Sequence, residues 1–557
     1  MPHVVTQACC SDASCVVACP VNCIHPAPGE PGFAEAEMVF VDPNSCVDCG
    51  ACVTACPVGA IVPHTKLTDA QLPFMDWNAA YFVEEPHADR TPIALVPRRR
   101  TLPVGEVRVA VVGAGPAALY TADELLKHPG VSVDVHDRLP TPHGLVRAGV
   151  APDHQDTKRV TDLFRAIESQ PGFRYRLNVE VGSDITHDEL AAGYHAVVYA
   201  VGASSGRSLG VEGEDLPGSV SATEVVGWYN GHPDHSDTYV DLGGQRVVVV
   251  GNGNVALDVA RILTADVDDL SSTDLADLPL ATLRGSSVRE VVVLGRRDPA
   301  EAAFTVPELI GLAALDDVDV VVDNGGLPIE VDSPRTELLA ELARRTPRRG
   351  ARRIVLRFRT APVRILGDGE VEGLEVSRTE LRADDAGRLR AVPTGEREVI
   401  PCTMVVGSVG YHGEPVPGLP YDEGAGTVPN DAGRVRPGVY VAGWIKRGPT
   451  GFIGTNKACA EETVERLLDD LEAGLLPTPT STVSEMDALL AERVPDGVVD
   501  GDAWRRIDAV ERARGTESGR PRTKIVDVPG LLRAAEPVAA PGTLGRRNPV
   551  ARRRLTT

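Results

Sequence analysis

Eleven cysteines are unevenly spread over the 557 residues, with nine between Cys9 and Cys56. Cys46, Cys49, Cys52 and Cys56, followed by Pro57, form a C-x2-C-x2-C-x3-C-P run. A tight loop of this kind aims three thiolates at one iron–sulfide cage, while the fourth is turned away toward another cage. Positions 9, 12, 15 and 19 repeat the frame as Cys, Asp, Cys, Cys, followed by Pro20. Each run lends its last cysteine to the other cage. Cluster one then takes Cys9, Cys15 and Cys56, with Asp12 at its fourth corner, and cluster two takes Cys19, Cys46, Cys49 and Cys52. Three thiolates suit [3Fe-4S], Asp12 ligation would allow a second [4Fe-4S], and cluster two is expected to be [4Fe-4S]. Cys10 and Cys23 fall outside the frame and are expected to pack, although a shifted loop could exchange Cys10 for Cys9. Zinc or a disulfide framework fits two interlocked runs with matching prolines less well.

Two glycine turns offer a different chemistry. Gly113-Ala114-Gly115-Pro116-Ala117-Ala118 follows an apolar run, Val109–Val112, and precedes helical periodicity over Pro116–His128. Gly113 permits the turn, Gly115 admits a pyrophosphate to the backbone, and Ala118 is small enough for close helix–strand packing. The helix N-terminus supplies free N–H groups, and Asp137 ends the next strand where an acid binds ribose hydroxyls. Gly251, Asn252, Gly253, Asn254 and Val255 repeat the arrangement between a strand, Arg246–Val250, and a helix, Val255–Leu263. There the next strand, Val291–Leu294, runs into Gly295-Arg296-Arg297. Two guanidinium groups at that place favour a 2′-phosphate, and so NADP over NAD.

The elements that must hold these groups follow from pattern and composition. At 43% hydrophobic and 4% aromatic, the chain reads as globular, with room for about three to four domains of ~100–200 residues. The expected fold class is α/β, with two Rossmann-like dinucleotide-binding domains behind a small α+β cysteine-rich domain. The expected division is residues 1–63 for the cysteine module and 64–105 for a Pro-rich linker carrying Trp77 and Tyr81. Residues 106–220 with 400–470 form the first nucleotide domain, 221–399 the second, and 471–557 a C-terminal extension packed on them. Asp368-Gly369 reads as a hairpin turn, and residues 266–285 as an insertion.

The net charge of −23 argues against nucleic acid as a partner. No apolar run reaches membrane-spanning length and residues 1–8 lack a leader pattern, so a cytoplasmic, membrane-free protein is expected. Residues 1–63 hold six acids and no Lys or Arg, while Arg98, Arg99 and Arg100 follow in the next segment. That asymmetry suggests docking by charge.

The cysteine segment, about Cys9–Ile61, resembles the bacterial dicluster ferredoxins, particularly the seven-iron type. From about residue 106 onward the chain is similar to the adrenodoxin reductase-type ferredoxin–NADP reductases. Leu139–Arg147, Gly149–His154, Gly251–Arg261, Gly295–Arg297, Ala303–Thr305 with Glu308, and Gly443–Asn456 carry that likeness. The whole resembles the actinobacterial ferredoxin/ferredoxin–NADP reductase fusions. The resemblance implies FAD at Gly113, Ala114, Gly115, Ala118, Asp137, Leu145, Val181, Trp444, Gly451, Phe452 and Ile453, with Asp137 replacing the family's usual Glu. It implies NADP at Gly251–Val255, Arg296, Arg297, Glu308 and Gly451, and makes His154 and Glu308 the candidate catalytic side chains. The implied activity is ferredoxin–NADP(+) oxidoreduction, with NADPH, FAD and the clusters in series. The partner would be a one-electron acceptor such as a ferredoxin or cytochrome P450 system. An electron-input subunit like the small subunit of glutamate synthase is the alternative, although those subunits carry their cysteines in a helical domain.

Overall fold

The computed structural model describes residues 3–93, 100, 102, 105–384 and 387–537. Arg98, Arg99 and the last twenty residues of the C-terminal extension lie outside the described residues.

The cysteine module repeats one local design twice. Short helices Ser14–Ala18 and Ala51–Ala55 are each entered through a left-handed residue, Ala13 (φ 58°) and Gly50 (φ 74°). Each helix ends on a cysteine with nearly the same backbone, Cys19 (φ −75°, ψ 114°) and Cys56 (φ −74°, ψ 116°). The following prolines, Pro20 and Pro57, disfavour helical geometry at those cysteines and turn them out of the helix. Strand His3–Val5 pairs antiparallel with Ile61–Pro63, and Ile24–His25 with Phe40–Val41.

The segment expected to be a linker contributes a three-turn helix, Pro73–Glu84. Its Asn78 is fully buried and joins two strands of the cysteine module. Asn78 Oδ1 accepts from the N–H of Val5 (3.2 Å) and of Val41 (3.0 Å), while Nδ2 donates to Val5 O (3.0 Å). Tyr81 stacks on Phe40 at 4.5 Å between ring centres, and Trp77 meets Phe40 edge-on at 5.0 Å. The helical part of the segment therefore belongs to the cysteine module's core.

Two six-stranded sheets make up most of the remainder. The first runs Arg434–Arg436, Val439–Val441, Ala196–Tyr199, Val107–Val112, Val131–Asp137, Phe173–Leu177, all parallel except at the first pair. The second runs Ser219–Ser221, Met404–Gly407, Arg246–Val250, Glu290–Leu294, Arg352–Arg357, Val318–Asp323, all parallel. Parallel sheets covered on both faces need continuous apolar strands, which explains the Val runs at 109–112 and 247–250. The chain crosses back to the first sheet only after Gly407. The expected boundary at residue 400 is too early, because Met404–Gly407 is hydrogen-bonded between two strands of the second sheet.

A three-stranded antiparallel sheet, Thr360–Leu366, Gly373–Ala383 and Leu389–Pro401, extends the second half, with Asp368-Gly369 in its first turn. The helix from Pro116 stops at Leu126, two residues short of the expected His128. Pro129 restricts His128, and Gly130 turns the chain with φ 88°. The insertion at 266–285 folds as two short helices, Val267–Leu270 and Asp277–Arg284. Helices Val483–Arg493, Gly501–Glu517 and Val528–Ala535 close the C-terminal part. Glu511 there is fully buried between Arg147 and Arg522. Among the described residues, no helix is long and apolar enough to cross a membrane.

Replacing Asn78 with Ala would leave the buried N–H groups of Val5 and Val41 without acceptors. That should cost the cysteine module at least about 2 kcal/mol. Hydrogen exchange at those two amides should accelerate at least tenfold, with exchange in the Val107–Val112 strand unchanged.

Candidate functional site

The two glycine turns occupy equivalent places. Each lies at the carboxyl end of a central strand, with neighbouring strands whose connections leave in opposite directions, the crevice where open α/β sheets bind ligands. Gly113 (φ 103°) and Gly251 (φ 118°) each press against the loop beyond the neighbouring strand. A Cβ would fall 2.4 Å from Ala200 O at the first and 2.0 Å from Ser408 O at the second. No other residue type fits either turn. No atom lies within 4 Å of where a Cβ on Gly253 would stand, so this turn is open on that side.

Around the first turn, Asp137 Oδ2 accepts from Ala114 N–H (2.7 Å) and Oδ1 from Leu139 N–H (2.9 Å). The shorter acid thus ties the turn to its own strand end and keeps lone pairs for further donors. Burial raises its pKa and those two N–H groups oppose the rise. Ala114 and Ala118 are fully buried, whereas Leu145 is 38% exposed and Val181 partly buried. The Gly443–Asn456 segment lies across the start of helix Pro116–Leu126, where a Cβ on Gly443 would sit 2.6 Å from Ala117 Cβ. Trp444 is partly buried and donates from Nε1 to Thr450 O (3.1 Å); Gly451 is exposed and Phe452 and Ile453 are partly buried. Arg447, in the same segment, has Nε and Nη1 buried without an acceptor. Two orphaned guanidinium donors beside an apolar, partly open wall fit an anionic or carbonyl-bearing cofactor. Spacing alone gave Arg447 no role, since only folding buries those atoms.

At the second turn, Asn254 Oδ1 accepts from Thr305 N–H (2.9 Å), which fixes the Ala303–Thr305 loop over the helix start. Asn252 and Val255 are partly buried. Arg296 and Arg297 are exposed and form no ion pair among the described residues, whereas nearby Arg359 is held by Asp298. Free guanidinium groups there suit a phosphate monoester.

The cysteines fall into two sets by proximity. Cys9, Cys10 and Cys15 are each under the influence of Asp12 and Cys56, and Cys15 also of Cys52. Burial pushes the Cys9 thiol up to about 11 and raises that of Cys15 well above its usual value. Cys52 is raised to about 12, by burial first and then by Cys46, Cys19 and Cys49. Buried thiols that crowd one another in this way fit a shared cationic centre, because only such a centre relieves both penalties. Cys19, Cys46, Cys49 and Cys52 line one small, partly open pocket. Cys23 lines it too, with its Sγ 3.4 Å from Cys19 Sγ, and it lowers the pKa of Cys19 and Cys46. Its expected role as a packing residue is therefore incomplete. Asp12 is buried, and its oxygens accept from Ser14 N–H (3.1 Å) and Ser14 Oγ (2.5 Å).

A polar junction joins all three parts. Arg261 donates to Asp153 through Nε (2.6 Å) and Nη2 (3.2 Å), to Asp258 (2.7 Å), and contacts His154 Nε2 (2.8 Å). Glu308 lies 4.0 Å from His154 and 3.7 Å from Arg261, and accepts from Gln7 Nε2 of the cysteine module (3.0 Å). Burial raises Glu308, with His154 and Arg261 pulling the other way. Burial by itself would also raise Asp153, but Arg261 overrides it and holds that carboxyl at about 2. Glu37 of the cysteine module pairs with Arg335 (2.6 Å) and accepts from Val306 N–H (2.6 Å), at the start of helix Val306–Ala313. Glu37 is thus an acid of the cysteine module that meets an arginine of the body, whereas Arg100 pairs with Asp469 and Glu472 and not with the module. Gln7 and Arg335 carried no signal in the sequence.

Two nucleotide crevices and a thiol-lined module define a flavoprotein oxidoreductase with an iron–sulfur domain. Residues 107–299 match the pyridine nucleotide-disulphide oxidoreductase family, and residues 39–62 the 4Fe-4S binding domain family. The chain is 51% identical to a probable ferredoxin/ferredoxin–NADP reductase of Mycobacterium tuberculosis, over all of this chain and 98% of that one. Human mitochondrial NADPH:adrenodoxin oxidoreductase is 43% identical over 76% of this chain and 91% of its own. The solved structure of Mycobacterium tuberculosis FprA in complex with NADPH superimposes with a TM-score of 0.74 at 46% identity. It covers 77% of this chain and 99% of that one. This chain belongs to the ferredoxin/ferredoxin–NADP reductase family.

The depressed Asp153 carboxyl gives a pH test. Its contribution to stability is complete above the unfolded value near 4 and is lost as pH falls toward about 2. Asp153→Asn should therefore be less stable than the unaltered protein by roughly 2 kcal/mol above pH 4. The gap should close by about pH 2, as read from urea titrations of tryptophan fluorescence.

Proposed function

We propose that this protein passes electrons between NADPH and its own pair of iron–sulfur clusters through FAD, and on to a one-electron acceptor such as a ferredoxin or cytochrome P450 system. The observation that carries the reading is one direct contact. Gly454, which follows Gly451–Ile453, donates its N–H to Cys10 O in the cysteine loop (2.8 Å). The segment assigned to the flavin and the loop assigned to cluster one therefore share a backbone hydrogen bond.

FAD, when bound, takes two electrons as hydride and releases them singly, which suits an acceptor that takes one at a time. The chain's residues do the rest by placement. Gly113, Gly115 and the first-turn amides of helix Pro116–Leu126 would hold the FAD pyrophosphate. Asp137 would accept from the ribose while closing the turn, and Leu145, Val181, Trp444 and Gly451–Ile453 would wall the ring system. Gly251–Val255 would receive the second dinucleotide, with Arg296 and Arg297 on its 2′-phosphate. His154 and Glu308 would stand at the meeting of the two sites and orient the nicotinamide end. Carriage of the ferredoxin on the same chain raises its effective concentration to the order of millimolar.

In the cysteine module, Cys19, Cys46, Cys49 and Cys52 would hold a [4Fe-4S] centre. Cys9, Cys15 and Cys56 would hold a [3Fe-4S] centre, which three thiolates suit, with Ser14 holding Asp12 at the fourth corner. Asp12→Cys should then convert cluster one to [4Fe-4S] and raise the iron count from about seven to about eight per chain. Retention of seven would contradict the assignment.

Anaerobically purified protein should contain one FAD and about seven irons, and NADPH should drive ferricyanide and cytochrome c reduction. Arg296→Ala with Arg297→Ala should raise KM for NADPH about 10–100-fold and leave that for NADH nearly unchanged. Equal losses with both nucleotides would remove the 2′-phosphate role.

A further inference from the structure

The cysteine module docks through one end, and that end holds cluster one. Its contacts with the first nucleotide domain come from Cys10, Asp12, Ser14 and Gly59. Beyond the hydrogen bond to Cys10, a Cβ on Gly454 would lie 2.3 Å from Asp12 N and 2.4 Å from Ser11 C. Lys457 Nζ reaches Ser14 Oγ (3.4 Å), and a Cβ on Gly59 would fall 2.3 Å from Arg159 Nη1. The contacts with the second domain come from Gln7 and Glu37. Ser11, Asp12 and Cys15 are buried in this arrangement.

Cluster two lies elsewhere on the module. Its cavity is bordered by Val47, Cys49 and Gly50. Val47 is 60% exposed, Cys49 and Asp48 are exposed, and Val53 on the following helix is also exposed. Among the described residues, no hydrogen bond or ion pair joins 43–55 to either nucleotide domain. Asp42 is held by Arg90 of the segment that follows the module.

From this asymmetry we infer a fixed relay order: electrons enter at cluster one and leave from cluster two, through the face formed by Val47, Cys49 and Val53. The inference rests on the two-cluster reading above. In balance, one NADPH gives up a hydride and becomes NADP+. Its two electrons pass one at a time through cluster one to cluster two, one proton is released, and two oxidised one-electron acceptors are reduced. The exit face has exposed valines around an exposed cysteine, with Asp48 beside them, on a segment that contains no Lys or Arg from residue 1 to 63. Its occupant is therefore a soluble one-electron redox protein that presents a cationic rim around an apolar centre.

The test uses the full-length holoprotein and Cys49→Ala made together with Cys46→Ala, which leaves cluster two only two thiolates, too few for a three-iron centre, and leaves the ligands of cluster one in place. Rapid freeze-quench EPR after mixing with NADPH follows the signal of the oxidised three-iron centre. The order requires that signal to disappear within twofold of the unaltered rate in the double variant, while reduction of cytochrome c, the cationic probe, falls at least tenfold. A tenfold slower loss of the three-iron signal, or undiminished cytochrome c reduction, would overturn it.

Should the double variant lose both clusters, the unaltered protein supplies the second measurement. A soluble gadolinium chelate should enhance the spin relaxation of dithionite-reduced cluster two more than that of oxidised cluster one. Equal enhancement, or the reverse, would overturn the order. Iron and flavin analysis of the same samples separates the two levels. Missing FAD or iron would sink the cofactor reading, whereas a full complement with the wrong relaxation order would sink only the relay.

Discussion

Everything in this structure depends on how closely the Ser11–Asp12 backbone packs against Gly454. A side chain at 454 would strike Asp12, so only glycine lets the cysteine loop reach the first nucleotide domain at this point. The contact is short, polar and backbone-mediated, and it sits between the two chemistries the chain carries. The other docking contacts, Gln7 to Glu308 and Glu37 to Arg335 and Val306, add charge and orientation around it. Glu37 also places a carboxylate at a helix N-terminus, where the peptide dipoles favour negative charge.

The two sheets solve a second problem. Each crevice opens at the carboxyl end of a parallel strand, where the first-turn N–H groups of a helix are suited to a phosphate. Gly113 and Gly251 meet the same steric demand because each turn must clear a carbonyl on the adjoining loop. What differs is the end of the following strand. Asp137 is drawn into the first turn by two N–H groups, while Arg296 and Arg297 remain free at the second. Family membership, with relatives matched along their full length, favours the fused reductase over an input subunit of a larger enzyme.

The buried ion pairs mark where segments distant in sequence are tied together. Lys158 and Lys524 converge on Asp274, and Arg147 and Arg522 on Glu511. Arg147 reaches Glu511, and Lys524 reaches Asp274, from distant parts of the chain, so the C-terminal segment is bound to the nucleotide domains by desolvated charge as well as apolar packing. Such pairs fix geometry more surely than they add stability, because burial costs each charge much of what its partner returns.

The sequence by itself determined the local chemistry. Cysteine spacing with its prolines, two glycine turns after Val-rich strands, and Asp137 set against Arg296-Arg297 were all legible, because each depends on residues close together in the chain. The strands and helices around those turns were legible for the same reason. The tertiary structure alone decided what depends on distant neighbours. It put Cys23 beside Cys19, gave the 73–84 helix to the cysteine module through Asn78, and kept Met404–Gly407 in the second sheet. It also buried the Arg447 donors and turned the Cys10–Asp12 loop, not the Val47–Gly50 loop, toward Gly454. None of these has a local signature, because a residue's burial and partners are set by which surfaces the folded chain brings together.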